Sequence, residues 1–254
     1  MIKKGRGSTK SREQGTKMNP LIRVISSELV DRILFLVVIT LTIAPSGYAQ
    51  KPNKTPIDSV TWKIENVKKI GGNQVTVIGD PQLIKLPGGK AMLFDGVEDG
   101  LIVNENPLAG ADAFTLEAVF RPDIGGLKEQ RWFHIQDASA DNRVLLEIRL
   151  NGEEWFLDTF IKSGTNSRPL YAENFKHPVG QWYHVALVFD GATMRHYVDG
   201  QEELSGPLKI SPLGKGSASI GVRMNRVFWF KGAIRSVRFT RRALSPKEFM
   251  SKSR

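Results

Sequence analysis

Between Gln181 and Gly200 the chain reads QWYHVALVFDGATMRHYVDG, and no other stretch constrains the fold so tightly. Tyr183, Val185, Leu187 and Phe189 alternate with Trp182, His184, Ala186 and Val188, a period of two in which both faces are largely apolar. A strand of that kind has to lie between two layers. Asp190-Gly191 supplies turn chemistry, Met194 to Val198 reads as the returning strand, and Asp199-Gly200 opens a second turn. The unit is therefore expected to be an antiparallel hairpin in a run of short strands.

The rest of the chain is punctuated in the same way. Val60 to Ile64 and Gln74 to Ile78 are strand candidates, with Gly71-Gly72-Asn73 and Gly79-Asp80-Pro81 as turn clusters. Ala91 to Phe94 and Leu101 to Val103 bracket Asp95-Gly96, and Phe114, Leu116, Ala118 and Phe120 point one way while Thr115, Glu117 and Val119 point the other. Turns every ten residues or so predict an all-β sandwich. Ser245-Pro246-Lys247-Glu248 has an N-cap serine, a proline at the first helical position and a glutamate at the capping-box position, so one or two helical turns are expected there.

Trp-x-His-Val-Ala, then Asp-Gly, then Tyr-Val-Asp-Gly at this spacing resembles the centre of a laminin-G-like, or concanavalin A-like, jelly-roll domain. AMLFDGVEDGLIV, FTLEAVFRP and FKGAIRSVRFTRRALSPKEF resemble the same family in the expected order, over about residues 91 to 250. The resemblance implies an antiparallel jelly-roll β-sandwich. That architecture hosts lectins, interaction modules and polysaccharide-cleaving enzymes alike, so the side chains must decide between them.

Ahead of these strands, Ile33 to Ala44 (ILFLVVITLTIA) is a twelve-residue apolar run preceded by Arg23 and Arg32 and followed by Gly47-Tyr48-Ala49. It reads as a secretory signal cleaved after Ala49, too short for a comfortable membrane span of roughly twenty residues. The reading divides the chain into a signal with a long basic leader over 1–49, a spacer over 50–59 and one domain over 60–254. Met18 is an alternative start. Only an uncleaved signal would attach the protein to a membrane. The formal charge is +10, but residues 1–49 hold eight Lys or Arg against three Asp or Glu, leaving 28 against 23. That excess, without a basic helix or an aromatic-studded basic stripe, argues against nucleic acid. The chain has no cysteine, so an exported form must stand on its core alone. Together these features fit a secreted, periplasmic or envelope protein of a bacterium.

Three consecutive strand candidates carry the side chains of interest. In Trp132 to Gln136, Phe133 and Ile135 share one face and Trp132, His134 and Gln136 the other. Val144, Leu146, Ile148 and Leu150 form an apolar face opposite Arg143, Leu145, Glu147 and Arg149, and in the third strand Asp158 and Lys162 share a parity with Phe156 and Phe160. Strict alternation thus nominates Trp132, His134, Gln136, Glu147, Arg149 and Lys162 as ligand-binding residues. Aromatic rings pack on the apolar face of a sugar while planar Arg and Glu groups bond its hydroxyls. A plain solvated sheet face accounts for the same residues. His184, His177 and His196 read as structural, and Trp229 as packing.

Catalytic patterns implied by the resemblance are incomplete. Retaining glycosidases of this shape carry a Glu-x-Asp-x-Glu strand, where Glu147-Ile148-Arg149 places a cation at the central position. Alginate-lyase-like relatives use Gln-x-His, Arg-x-Glu-x-Arg and Tyr-x-Lys, of which His134-Ile135-Gln136, Glu147-Ile148-Arg149 and Phe160-Ile161-Lys162 are fragments. Relatives that hold a structural calcium have an acidic residue where this chain has Arg235-Ser236, so no calcium or other cofactor is expected; Asp95, Glu98 and Asp99 read as turn formers. The expectation is a secreted non-catalytic module whose partner is a glycan or polysaccharide. The alternatives are a protein-interaction or structural module of the cell envelope, and a divergent lyase or hydrolase.

Overall fold

A computed structural model describes residues 58–252. The expected signal over 1–49 and the spacer as far as residue 57 lie outside the described residues. Among the described residues seventeen strands follow one another: β1 (Ser59–Lys63), β2 (Lys69–Ile70), β3 (Asn73–Ile78), β4 (Gln82–Leu86), β5 (Gly89–Asp95), β6 (Gly100–Val103), β7 (Phe114–Pro122), β8 (Glu129–Asp137) and β9 (Arg143–Asn151). They continue as β10 (Glu154–Ser163), β11 (Asn166–Tyr171), β12 (His177–Pro178), β13 (Tyr183–Phe189), β14 (Thr193–Val198), β15 (Gln201–Pro207), β16 (Gly216–Ile220) and β17 (Lys231–Thr240).

The strands form two antiparallel sheets, the sandwich that the spacing of turns predicts, in the jelly-roll form that the resemblance implies. One has the order β15-β14-β13-β7-β17-β5-β4, with β1 also on β17, and the other β11-β10-β9-β8-β16-β6-β3-β2, with β12 on β10. The β13–β14 hairpin sits where its two apolar faces require. Every residue of Tyr183–Phe189 is buried. At its far end Val198 pairs with Gln201 across Asp199-Gly200, whose φ angles of 47° and 83° are those of a type I′ turn.

Aromatic rings join the sheets. Phe120 of β7 stacks on Trp132 of β8 with centroids 4.4 Å apart and planes at 8°, and Trp155 of β10 meets Phe120 and Tyr183 edge-on at 5.2 and 5.0 Å. Offset rings of this kind bury large areas in favourable quadrupole geometry.

Trp132 departs from strict alternation. The register between β8 and β9 shifts between Arg131 and Phe133, so two residues of β8 face one of β9. This β-bulge turns Trp132 inward beside Phe133, both fully buried, and sends Arg131 to the outer face.

β7 departs differently, because both its faces are covered. The segment after β17 lies over its outer side: Thr115 accepts the Leu244 N–H, and Glu117 accepts Met250 N–H at 2.7 Å, Arg238 Nε at 2.5 Å and bonds His184 Nε2 at 3.0 Å. Glu117 and Thr115 are wholly buried yet fully partnered, as a buried carboxylate must be. The expected C-terminal helix is a single 3-10 turn, Pro246–Glu248, with the Glu248 carboxylate accepting the Ser245 N–H and hydroxyl, each at 2.9 Å.

Candidate functional site

The outer face of β8, β9 and β10 carries a shallow depression of about 210 Å³ lined by Arg131, Arg143, Glu147, Arg149, Asp158 and Arg223, with Leu145, Phe160 and Pro169 as apolar floor. Register explains how they meet. Arg131 pairs with Glu147 across β8 and β9, and Glu147 with Asp158 across β9 and β10. Phe160 stands opposite Leu145 on one side and Pro169 of β11 on the other.

The two carboxylates are held in a lattice of guanidinium groups. Arg131 Nε donates to Glu147 Oε2 at 3.0 Å; Arg149 donates to Asp158 Oδ2 from Nε at 2.9 Å and from its terminal nitrogen at 2.6 Å, and lies 3.6 Å from Glu147. Glu129 bridges Arg131 and Arg149 from the edge. Three of these cations also lie over rings: Arg131 over Phe228 at 3.8 Å, Arg143 over Phe160 at 5.1 Å and Arg149 over Tyr171 at 5.5 Å. Such stacking fixes the plane of each guanidinium and leaves its edge free to donate.

Burial dominates the electrostatics. Removal from water, reinforced by the Asp158 charge, pushes Glu147 up to about 7 despite Arg131 and Arg149. Asp158 is also raised, chiefly by burial, with Arg149 opposing. Arg149 loses hydration but gains more from Asp158 and Glu129, so its proton is held more tightly than usual.

The six nominated residues separate on this face. Glu147 and Arg149 line the depression. Trp132 does not, because the bulge places it in the core. His134 is on the predicted side but only 1% exposed, covered by the loop between β16 and β17, where its Nδ1 accepts the Met224 N–H at 3.1 Å. Burial and the nearby Arg223, Arg143 and Arg131 hold it neutral, with a pKa of about 3. Gln136 is half-buried, paired with Arg143 and Ser217 beyond the rim. Lys162 is tied to Asp141 at 2.5 Å, with Arg143 on the other side of the same carboxylate.

Alternation missed Arg131, Arg223, Tyr171 and Phe228. Arg131 stood on the core parity next to a tryptophan on the solvent parity, and that inverted pair is the sequence mark of the bulge. Arg223 and Phe228 come from the β16–β17 loop, which no strand pattern reaches. Trp229 packs over Gly100, its ring 3.5 Å from where a Cβ there would stand. Asp95 and Asp99 are absorbed in their turn: Asp95 Oδ1 accepts the N–H groups of Val97, Glu98 and Asp99, and Asp99 accepts those of Asp80 and Asp95.

A larger groove of about 550 Å³ lies on the other sheet, between Lys63, Lys90, Arg235 and the C-terminal Phe249-Met250. Its strongest groups are already engaged, Arg238 with Glu117 and Arg235 with the Gly88 carbonyl. It is the seam along which the C-terminal segment lies on the sheet.

Residues 95–249 match the family described as the concanavalin A-like lectin/glucanases superfamily. Among solved structures, domain 4 of AbnA, a GH43 extracellular arabinanase from Geobacillus stearothermophilus in complex with arabinotriose, aligns with a TM-score of 0.59 at 19% identity, over 76% of this chain and 97% of that one. The binding domain of Paraclostridial Mosquitocidal Protein 1 aligns with a TM-score of 0.56 at 15% identity, over 75% of this chain and half of that one. The receptor binding domain of botulinum neurotoxin C/D mosaic serotype gives 0.56 at 15% identity, over 75% and 49%. The comparison with curated protein sequences gives no match.

Proposed function

The chain belongs to the concanavalin A-like lectin/glucanase superfamily, and from that premise we propose that it is an exported, non-catalytic module that binds carbohydrate on the outer face of β8, β9 and β10. The observation that carries this reading is the pairing, in one open depression, of planar guanidinium edges fixed by ion pairs with the partly exposed ring of Phe160, and the Tyr171 ring beside the depression under Arg149. Tyr171 is 48% exposed at the edge of the same strands. A sugar ring packs its C–H face on such aromatics while bidentate donors fix its hydroxyls. A volume near 210 Å³ suits about one ring of a longer chain. The arabinotriose bound by the arabinanase domain supports carbohydrate as the ligand class. Export rests on the apolar run Ile33 to Ala44.

Hydrolysis or elimination has weaker support. A glycosidase needs one carboxyl free to protonate the leaving oxygen and a second free to attack or to activate water. Here Glu147 and Asp158 are each 4% exposed and lie under arginines. His134, buried and neutral with Nδ1 occupied, is poorly placed as a base, and Lys162 is spent on Asp141. For a protein partner, the described residues of the β16–β17 loop offer one exposed large apolar side chain, Val227, with Phe228 and Trp229 half-buried beside it.

The test is a glycan array of neutral and acidic oligosaccharides probed with the full-length chain, beside Phe160→Ala and Tyr171→Ala variants, with the bound glycan recovered and analysed. Binding that both variants weaken, with the glycan recovered intact, is expected. Silence across the array, or a cleaved glycan, would overturn the reading.

A further inference from the structure

Four guanidinium groups line the depression against two carboxylates, and their partners are unevenly shared. Arg149 has all three nitrogens engaged by Asp158 and Glu129, while Arg131 is held at Nε by Glu147 and at one terminal nitrogen by Glu129. Arg143 has Asp141 alone, and its Nε is buried without a partner. Arg223 is the exception in kind: among the described residues its guanidinium makes no hydrogen bond or ion pair.

The loop that presents Arg223 is fixed. Gly221 N–H donates to the Trp132 carbonyl at 2.8 Å, Met224 N–H to His134, Arg226 N–H to the Arg223 carbonyl at 2.8 Å, and the Phe228 carbonyl accepts Arg131 N–H at 2.9 Å. Arg226 and Phe228 hold φ of 60° and 62°, left-handed conformations that non-glycine residues rarely adopt and that persist where surrounding structure imposes them. Arg223 is thus held beside Arg131 and Arg143 without a compensating carboxylate of its own.

We propose that the ligand is an acidic saccharide, and that Arg223, with Arg143 and Arg131, receives its carboxylate or sulfate. The inference rests on the carbohydrate reading above and narrows it to a charge class. A neutral sugar hydroxyl would leave the crowding of like charges as it is. A planar or tetrahedral anion removes it and supplies acceptors to several N–H groups that have none. One further fact agrees: burial, with Arg131 and Arg143 beside it, loosens the hold of Arg223 on its own proton despite the opposing Glu147 and Asp141 charges.

Matched polymers test this. Oligogalacturonate and dextran sulfate are titrated calorimetrically into the full-length chain, against methyl-esterified oligogalacturonate and plain dextran, at 50 and 500 mM salt. The variants are Arg223→Gln, Arg223→Glu and, in the groove of the other sheet, Lys63→Gln, each checked for an unchanged melting temperature. At least one acidic polymer should bind roughly tenfold or more tighter than its neutral counterpart, and the carboxylate and sulfate arms identify which anion. Arg223→Gln should weaken that binding about tenfold, Arg223→Glu should abolish it, and Lys63→Gln should leave it unchanged. Equal binding of charged and neutral polymers would overturn the charge class while leaving carbohydrate binding intact. Acidic binding that survives Arg223→Glu, or that falls with Lys63→Gln, would overturn the site. Binding to none of the four, if the glycan array is also silent, removes both readings; if the array shows neutral glycans alone, it removes this one.

Discussion

Arg131 donates from Nε to Glu147 Oε2 at 3.0 Å, and it reaches that carboxylate only because a β-bulge at the next residue turns Trp132 inward. One irregularity in β8 therefore does two jobs. It puts a large ring against Phe120 between the sheets, and it gives the outer face the cation around which the arginine lattice is arranged.

That relationship predicts that stability and binding separate at Trp132. Trp132→Ala should cost about 3–5 kcal/mol of unfolding free energy, as for other buried large-to-small changes. Trp132→Phe should cost less and leave glycan affinity within about twofold, since the ring faces away from the depression. Urea unfolding and calorimetric titration of the two variants check this; a large loss of affinity in a well-folded Trp132→Phe protein would speak against the placement.

Glu147 carries a pH signature with a definite sign. Its carboxyl titrates at about 7 in the fold against an ordinary value of 4.5, so the folded state holds the extra proton between those values. The stability this confers is complete below 4.5 and lost as pH rises through 7. Facing groups are Arg131 and Glu129 on β8, Arg149 on β9, Asp158 on β10 and Arg223 on the loop. Unfolding of wild type and Glu147→Gln at pH 5 and pH 8 should show wild type losing stability that the variant keeps, and parallel profiles would contradict it.

The buried histidines pull the other way. His134 and His196 are both depressed from 6.5 to about 3, each chiefly by burial. Their contribution is complete above 6.5 and drains as pH falls toward 3. His196→Gln, which can still bond Thr159, is expected to flatten the loss of stability between pH 6.5 and 4 in urea titrations.

His134 also pins the loop that carries Arg223. His134→Ala leaves the Met224 N–H without its acceptor and should destabilise the fold by about 1–3 kcal/mol. Hydrogen exchange at the Met224 amide should accelerate, and affinity for the glycan should fall although the imidazole itself is covered.

On the opposite sheet, Glu117→Ala strips partners from Arg238, His184 and the Met250 N–H together. A loss of about 3–5 kcal/mol is expected in urea unfolding, without any change in glycan binding.

The sandwich was legible because the fold is written in local patterns. Strands such as Phe114–Pro122 and Tyr183–Phe189 announce themselves by alternation, and Asp199-Gly200 by turn chemistry. Alternation places Glu147 and Arg149 on the outer face for the same reason. What alternation cannot carry is an event that shifts the count by one, as at Trp132, or a contribution from a distant segment. Arg223 reaches the depression through the β16–β17 loop, and the residues after β17 cover Thr115 and Glu117 through bonds spanning more than a hundred residues. Both depend on where the chain returns, which no window of sequence records.

The most direct test of the account is an NMR titration of the full-length chain, labelled at the arginine side chains, with whichever glycan the array selects. Binding on the β8–β10 face predicts that the Nε–H signals of Arg131, Arg143, Arg149 and Arg223 move together and saturate with one affinity, while Arg235 and Arg238 stay still. Movement of Arg235 and Arg238 with the four signals unmoved would put the ligand on the other sheet and contradict the account.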